Sequence, residues 1–354
     1  MNFTISVLPG DGIGPEVIDQ GIKVMDAIGN RYGHEFQYNF GDVGGIAIDK
    51  TGSPLPQETI DICINSDALL FGAIGDPKYD NDPTAKVRPE QGLLGLRKAL
   101  DLFCNIRPLT IFKNLKHLSP IRPENLEGVD FVVYRELIGG IYFGAKGRKE
   151  DGRYAFDTCE YRVEEIDRIA ELAFAAARLR RKQLMLVDKA NVLESSRLWR
   201  ERIQEIAKEN PDIEVSYMFV DNAAMQMIVK PSQFDVILTT NMFGDILSDE
   251  SSVLAGSLGL IPSASIGSKT SMFEPIHGSA PDIAGQDLAN PIATVASVAM
   301  LLDHLKLTEE AETVRTAISD LLEKGIGTAD LRGLEARSCS QVGDELAKLV
   351  EDVK

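Results

Sequence analysis

Asp245 and Asp249 stand four residues apart in the run NMFGDILSDESS, residues 241–252. Side chains four apart on a helix share one face, and two like charges there cost roughly a few tenths of a kcal/mol. A dication between them turns that cost into binding. The plain alternative is a pair of solvated acids in the first turns of a helix, where the macrodipole favours negative charge.

Arg97 and Arg107, in RKALDLFCNIRP, and Arg135, in VVYREL, form a second constellation. Arg97 falls late in a helical run. Arg107 and Arg135 fall on or beside strands, where apolar surroundings are expected and a charge needs a partner. Either internal salt bridges supply it, or the three clamp a small di-acid, because a guanidinium binds a carboxylate through two parallel hydrogen bonds. Lys189, in LVDKANVL, follows a buried strand and precedes a helix. Partial desolvation there favours a neutral amine that can act as a base; a solvated loop lysine is the alternative. Tyr142 reads equally as a ribbon aromatic, and Asp221 as an N-cap before NAAMQMIV.

Two loops remain. In PGDGIGPE, Gly10, Gly12 and Gly14 follow a strand and precede a helix, as a dinucleotide-binding turn would. The fingerprint, however, wants glycine or alanine where Pro15 stands, and no acid is clearly placed to take a ribose hydroxyl. A tight strand-to-helix turn explains the glycines as well. HGSAPDIAGQDLANP, residues 277–291, combines small residues, prolines and an Asn. It reads as a rigid loop with free backbone N–H groups suited to phosphate or nucleotide, or as an ordinary loop turning at Pro281-Asp282.

The elements that must position these residues alternate between short β-branched runs and longer amphipathic ones. FTISVLP, HEFQYNF, DALLFGAIG, CNIRPLTIF, DFVVYREL, KQLMLVDK, IEVSYMFV and DVILTTN read as strands. PEVIDQGIKVMDAIG reads as a helix with Pro15 in its first turn and Gly29 near its end. QETIDICINS, GLLGLRKALDLF, VEEIDRIAELAFAAARLR, VLESSRLWRERIQEIAKE and three runs in the tail are helical as well. This alternation predicts an α/β fold. Residues 139–162 break the rhythm with glycine, charge and alternating aromatics, and predict an extended ribbon off the main sheet. Exposed strand edges tend to be paired or protected, so this ribbon is either a dimer-forming arm or a surface hairpin.

At 354 residues the chain exceeds what one core usually serves, and two domains are expected. The net charge of −17 argues against non-specific nucleic-acid binding. No run of apolar residues is long enough to span a bilayer and no signal peptide is recognisable, so a cytoplasmic protein without membrane association is expected. Cys63, Cys104, Cys159 and Cys339 show no metal-site spacing, which predicts unbridged thiols in a reducing compartment.

Together LPGDGIGPEV, GLLGLRKALDLFCNIRP, RELIGGIYFG, DKANVL, NMFGDILSDE and EPIHGSAPDIAGQDLANP resemble, in type and order, the metal-dependent β-decarboxylating dehydrogenases of the isocitrate/isopropylmalate type. The resemblance implies two α/β domains with mixed parallel and antiparallel sheets, not a Rossmann fold. It implies a discontinuous first domain at about 1–102 and 256–354, and a second at about 103–255 whose arm, 139–162, interlocks with a partner subunit. It places the active site in the cleft between domains and shares it between subunits of a homodimer.

By the same resemblance Arg97, Arg107 and Arg135 hold the malate carboxylates, Tyr142 is the catalytic tyrosine and Lys189 the catalytic lysine. Lys189 and Asp221 come from the partner subunit. Asp221 joins Asp245 and Asp249 on Mg²⁺ or Mn²⁺ and borders the substrate. His277, Gly278, Ser279, Ala280, Pro281, Asp282, Ile283 and Asn290 hold the cofactor. Asp282 can accept from both ribose hydroxyls and would repel a 2′-phosphate, which points to NAD over NADP. Leu93 and Leu94, with Glu90 one turn earlier, suit an isopropyl group where isocitrate enzymes hold a third carboxylate. The expected substrate is therefore 3-isopropylmalate, with D-malate or tartrate as the alternative and a silent regulatory subunit as a third. GDPKYD departs from the family, with Asp76 and Tyr79 where many relatives carry a small residue and a tryptophan.

Overall fold

The computed structural model describes residues 1–82 and 84–352. The sheet strands, in chain order, are β1 (Asn2–Gly10), β2 (Glu35–Phe40), β3 (Ala68–Ala73), β4 (Leu102–Thr110), β5 (Asp130–Glu136), β6 (Lys146–Lys149), β7 (Tyr154–Asp157), β8 (Gln183–Asp188), β9 (Glu214–Phe219), β10 (Val236–Thr239), β11 (Pro262–Gly267) and β12 (Met272–Pro275). The helices are α1 (Gly14–Tyr32), α2 (Gly45–Thr51), α3 (Gln57–Ile64), α4 (Pro77–Asp80), α5 (Pro89–Ala99), α6 (Val163–Leu179), α7 (Glu194–Glu209), α8 (Val220–Val229), α9 (Asn241–Ser252), α10 (Ile292–His304), α11 (Thr308–Glu323) and α12 (Cys339–Asp352).

The chain divides into two compact units. The first contains residues up to Leu102, the segment Phe112–Leu118, and everything from Gly256 onward; the second contains Phe103–Ile111 and Ser119–Ala255. In the first unit β1 lies between β2 and β3, parallel to both. β12 pairs parallel with β3 and antiparallel with β11. β3 is buried along its whole length, as a strand covered on both faces must be. Helices α1 and α10 pack on it and α11 and α12 pack on those helices, with Val17, Val24, Val298, Val314 and Leu346 all fully buried.

In the second unit β4 and β5 are antiparallel, while β5, β10, β8 and β9 run parallel in that spatial order. The architecture is thus mixed α/β, with one antiparallel pair in each unit's sheet. The predicted ribbon is present as the antiparallel pair β6 and β7, standing as a separate two-stranded sheet.

Three expectations need correction. Helix α1 passes through Gly29 and continues to Tyr32; the residue that ends it is Gly33, at φ +73°, whose N–H returns to the Gly29 carbonyl. Gly29 is required for space instead, because a Cβ there would lie 2.9 Å from the His34 carbonyl oxygen. Helix α5 ends at Ala99, so Leu102 and Phe103 already belong to β4. Asp221 is no cap: Phe219 holds the N-cap position of α8 and Asp221 lies inside its first turn. Strands β11 and β12 were not foreseen at all, since PSASIG and MFEP carry neither β-branched alternation nor length.

Candidate active site

Within the second unit, four elements bring one cluster together. Arg107 comes from β4, Arg135 from β5, Tyr142 from the short turn Gly140–Tyr142, and Asp245 and Asp249 from α9. Asp245 is the centre. Its Oδ1 is bound by the Arg135 guanidinium, and its Oδ2 accepts a hydrogen bond from the Tyr142 hydroxyl at 2.9 Å. Arg107 donates to Asp249 Oδ1 at 2.7 Å and to the Ser248 hydroxyl at 2.7 Å, and its other terminal nitrogen lies 4.0 Å from Asp245.

The like charges at 245 and 249 are therefore already offset by two guanidinium groups. Internal ion pairing, which the sequence left open beside a carboxylate clamp, is real for Arg107 and Arg135. It does not exhaust the two acids, because Asp249 remains 67% exposed and Asp245 32% exposed, so carboxylate oxygens stay open to a further ligand. Burial and the Asp245 carboxylate hold the Tyr142 phenol above its ordinary pKa, so it stays protonated.

Lys189 and Asp221 pair with each other at the ends of β8 and β9. The Lys189 hydrogen bond depresses the Asp221 carboxyl. Asp221 does not join Asp245 and Asp249 within one chain: among the described residues no three His, Cys, Asp or Glu side chains converge on a possible metal position. The donors that α9 does offer are hard carboxylate oxygens, and they fit a hard divalent cation completed by further oxygen ligands.

The first unit holds the other expected residues. Glu90, Leu93, Leu94 and Arg97 recur at helical spacing on one face of α5; Leu93 and Leu94 are half-buried, Arg97 is buried and Glu90 is exposed. A Cβ placed on Gly75 would lie 3.3 Å from the Ser279 hydroxyl and 3.7 Å from Glu90 Oε1, so this helix face adjoins the 277–290 loop.

That loop is built onto the β1–α1 turn. The Ile13 N–H donates to the Ser279 carbonyl at 2.8 Å. Gly12, at φ +57°, approaches so closely that a Cβ would sit 1.9 Å from the same oxygen. The Glu16 carboxylate accepts the N–H groups of Gly285 and Asp287. Ile283 packs against the buried cluster of Ile13, Val17, Ala289 and Cys339, while Pro281 and Asp282 are exposed. Ala280 is held at φ +37°, and Gly278 has open space around it. Asn290 accepts the Ile292 N–H at 3.0 Å and donates to Asp330 at 3.1 Å. His277 Nε2 is buried without a hydrogen-bond partner, and burial lowers the ring's pKa so that it stays neutral. A shaped loop with an orphaned ring nitrogen and an exposed Asp282 fits a nucleotide cofactor.

The glycine-rich motif thus serves as the seat of the 277–290 loop. Its Asp11 was missed by the sequence reading. Asp11 is buried and accepts three backbone N–H groups, from Gly45, Ile46 and Gly75, at 2.9–3.0 Å. A short acid between glycines was the available signal. Its partners lie more than thirty residues away and could not be read locally.

Comparison with known proteins places this geometry. The family model described as isocitrate/isopropylmalate dehydrogenase matches residues 4–346. The 3-isopropylmalate dehydrogenase of Geobacillus kaustophilus is 52% identical, covering 100% of this chain and 95% of that protein. The 3-isopropylmalate dehydrogenase of Carboxydothermus hydrogenoformans is 53% identical, covering 98% of this chain and 94% of that one. Among solved structures, isocitrate dehydrogenase from Methylococcus capsulatus superposes with a TM-score of 0.88 at 34% identity, covering 99% of both chains. Because the match runs through both units and every stretch that carries the clusters above, the chain belongs to the isocitrate/isopropylmalate dehydrogenase family.

Proposed function

We propose that this chain catalyses the NAD-dependent oxidative decarboxylation of 3-isopropylmalate to 2-oxo-4-methylpentanoate, a step of leucine biosynthesis, as a cytoplasmic homodimer. The observation that carries the mechanism is the convergence of Arg107, Arg135 and Tyr142 on the Asp245–Asp249 pair. The substrate assignment is supported by relatives of that name at about half identity over nearly the full chain.

Asp245 and Asp249, with Asp221 of a second copy, would hold Mg²⁺ or Mn²⁺, which would supply positive charge where negative charge builds on oxygen, and the 277–290 loop would hold NAD⁺ as the hydride acceptor. Arg97, Arg107 and Arg135 hold the two carboxylates and orient the 2-hydroxyl. Lys189 takes the hydroxyl proton. Once carbon dioxide has left, Tyr142, kept protonated beside Asp245, donates to the carbon that carried it. Leu93 and Leu94 give the isopropyl group an apolar wall, and Glu90 disfavours a third carboxylate.

A homodimer is supported by the apolar side chains that α8 and α9 expose. Met225, Ile228 and Val229 recur at helical spacing on α8, and Ile246 and Val253 are two turns apart at α9 and its end. These are the helices that carry Asp221, Asp245 and Asp249. Among the described residues no helix is long and apolar enough to cross a membrane.

The test is one assay with 3-isopropylmalate, D-malate, tartrate and isocitrate, each with NAD⁺ or NADP⁺, before and after EDTA. The proposal expects NAD⁺ reduction with 3-isopropylmalate, abolished by chelation and restored by Mg²⁺ or Mn²⁺. Faster turnover of D-malate or tartrate overturns the substrate assignment, and activity indifferent to EDTA overturns the metal.

A further inference from the structure

Asn241 opens α9 and is fully buried. Its carboxamide is used at both ends. Oδ1 accepts from Arg135 Nε at 3.2 Å and from a terminal Arg135 nitrogen at 2.8 Å. Nδ2 donates to the Gly139 carbonyl at 3.1 Å. Exchanging the two ends would set donor against donor and acceptor against acceptor, so the partners fix the orientation. The backbone N–H of the same residue donates to the Tyr161 hydroxyl at 2.9 Å.

Gly139 begins the turn that delivers Tyr142, and that turn is held from its other side too. The Glu136 carboxylate accepts the N–H groups of Ile138 and Gly139 at 2.9 Å. The Tyr161 ring closes off the space behind it. A Cβ on Gly139 would lie 2.8 Å from that ring, and one on Gly140 would lie 2.3 Å from its hydroxyl. On the helix, Gly244 lets α9 rest directly on Arg135, whose Cγ would be 2.6 Å from a Cβ there. The next residue, Asp245, binds both Arg135 and Tyr142. The contacts close a ring: Arg135 to Asn241, Asn241 to Gly139, along the turn to Tyr142, Tyr142 to Asp245, and Asp245 back to Arg135.

We propose that Asn241 is a positioning residue for the reaction, its carboxamide setting where the Tyr142 hydroxyl stands relative to the Arg135 guanidinium. The inference rests on the roles proposed above for Tyr142 and Arg135. Asn241 itself touches neither substrate nor cofactor in this assignment. A fully bonded buried amide has one rotamer, and a group it supports inherits that precision. A displacement of about 1 Å at a proton donor can cost about a hundredfold in rate.

Asn241→Asp tests this. It keeps the shape and the acceptor that faces Arg135, but sets a carboxylate oxygen against the Gly139 carbonyl. Arg135 stays held while the Tyr142 turn is pushed away. Tyr161→Phe is a second variant without added charge, which leaves the Asn241 N–H without its acceptor. Each is made alone and in a Tyr142→Phe background, and kcat and KM for 3-isopropylmalate are measured with NAD⁺ and Mg²⁺, beside thermal melting.

The expected result is a fall in kcat of about tenfold or more for Asn241→Asp with KM changed by about twofold at most, and no comparable further fall in the Tyr142→Phe background, because the loss is routed through Tyr142. The same fold-loss in both backgrounds, or an unchanged kcat, overturns the proposal. If Asn241→Asp does not fold, the same comparison on Tyr161→Phe decides it. A wild-type enzyme that ignores 3-isopropylmalate instead sinks the functional assignment on which this one stands, so the two failures are told apart by the wild-type arm.

Discussion

Lys189 and Asp221 hold each other within one chain, the ammonium just past the end of β8 reaching the carboxylate in the first turn of α8. The two residues expected from a partner subunit therefore travel as a pair, apart from the Tyr142–Asp245 cluster of their own chain. Interchain sharing predicts complementation. Lys189→Met and Asp245→Asn chains should each be inactive as homodimers. Mixed and allowed to exchange subunits, they should regain about a quarter of wild-type activity, since half the dimers are mixed and each mixed dimer restores one of two sites. Mixtures that stay silent after exchange is verified by mass would mean that each chain works alone.

The seating of the 277–290 loop on the β1–α1 turn gives a second prediction. Gly12→Ala places a methyl group 1.9 Å from the Ser279 carbonyl oxygen in a backbone region that alanine disfavours. The loop must move, at a cost of roughly 1–3 kcal/mol in stability, and the KM for NAD⁺ must rise. Gly278→Ala is the control: a Cβ there meets nothing within 4 Å. Its melting temperature should match wild type. Equal losses of stability from the two variants would show that Gly12 does not seat the loop.

The α/β rhythm was legible because strands such as β3 and β10 are short apolar runs and helices such as α6 repeat their apolar residues at three and four. The acidic pair on α9 and the three arginines were legible because charge is conspicuous in elements that build cores. Asp11 was not, because its worth lies in N–H groups of Gly45, Ile46 and Gly75 that only the fold brings together. Asn241 was not, for the same reason. Strand β11 was hidden by its serines: Ser263 and Ser265 are buried, and a buried serine looks in sequence like a loop residue; β12, with four residues, was too short to read. Gly29 and Gly33 look alike in sequence. One supplies space and the other a left-handed φ, and only the first contradicts the helix-stop rule.

Asp282 gives a third prediction. Its side chain is exposed, so Asp282→Ala should leave stability within about 0.5 kcal/mol of wild type. If its carboxylate accepts from the adenosine ribose, the variant loses a charged hydrogen bond of about 1.5–3 kcal/mol, and KM for NAD⁺ rises about tenfold or more. Use of NADP⁺ should improve relative to NAD⁺, because repulsion of a 2′-phosphate goes with the charge. An unchanged ratio of kcat/KM for the two cofactors would remove Asp282 from the selection.

Glu136 gives the last prediction, through pH. It is fully buried, and burial pushes its carboxyl up to about 7, with Glu165 adding to the shift while the N–H groups of Ile138 and Gly139 and the Arg168 guanidinium oppose it. An unfolded chain releases this proton near the ordinary glutamate value of about 4.3. Between those two pH values the folded state binds more protons than the unfolded one, so stability falls as pH rises. The contribution is complete below the unfolded value and is lost as pH passes through about 7. Glu136→Gln removes the titration and keeps a carbonyl oxygen for the Ile138 and Gly139 N–H groups. Denaturant unfolding of both proteins at fixed chain concentration, from pH 5 to pH 8, should show the stability of wild type relative to the variant dropping by about 2 kcal/mol. Parallel curves would mean that Glu136 keeps an ordinary pKa in the folded chain. A gap that widens with pH would mean that the N–H groups and Arg168 outweigh burial, and that the turn carrying Tyr142 is held by a charged group at neutral pH.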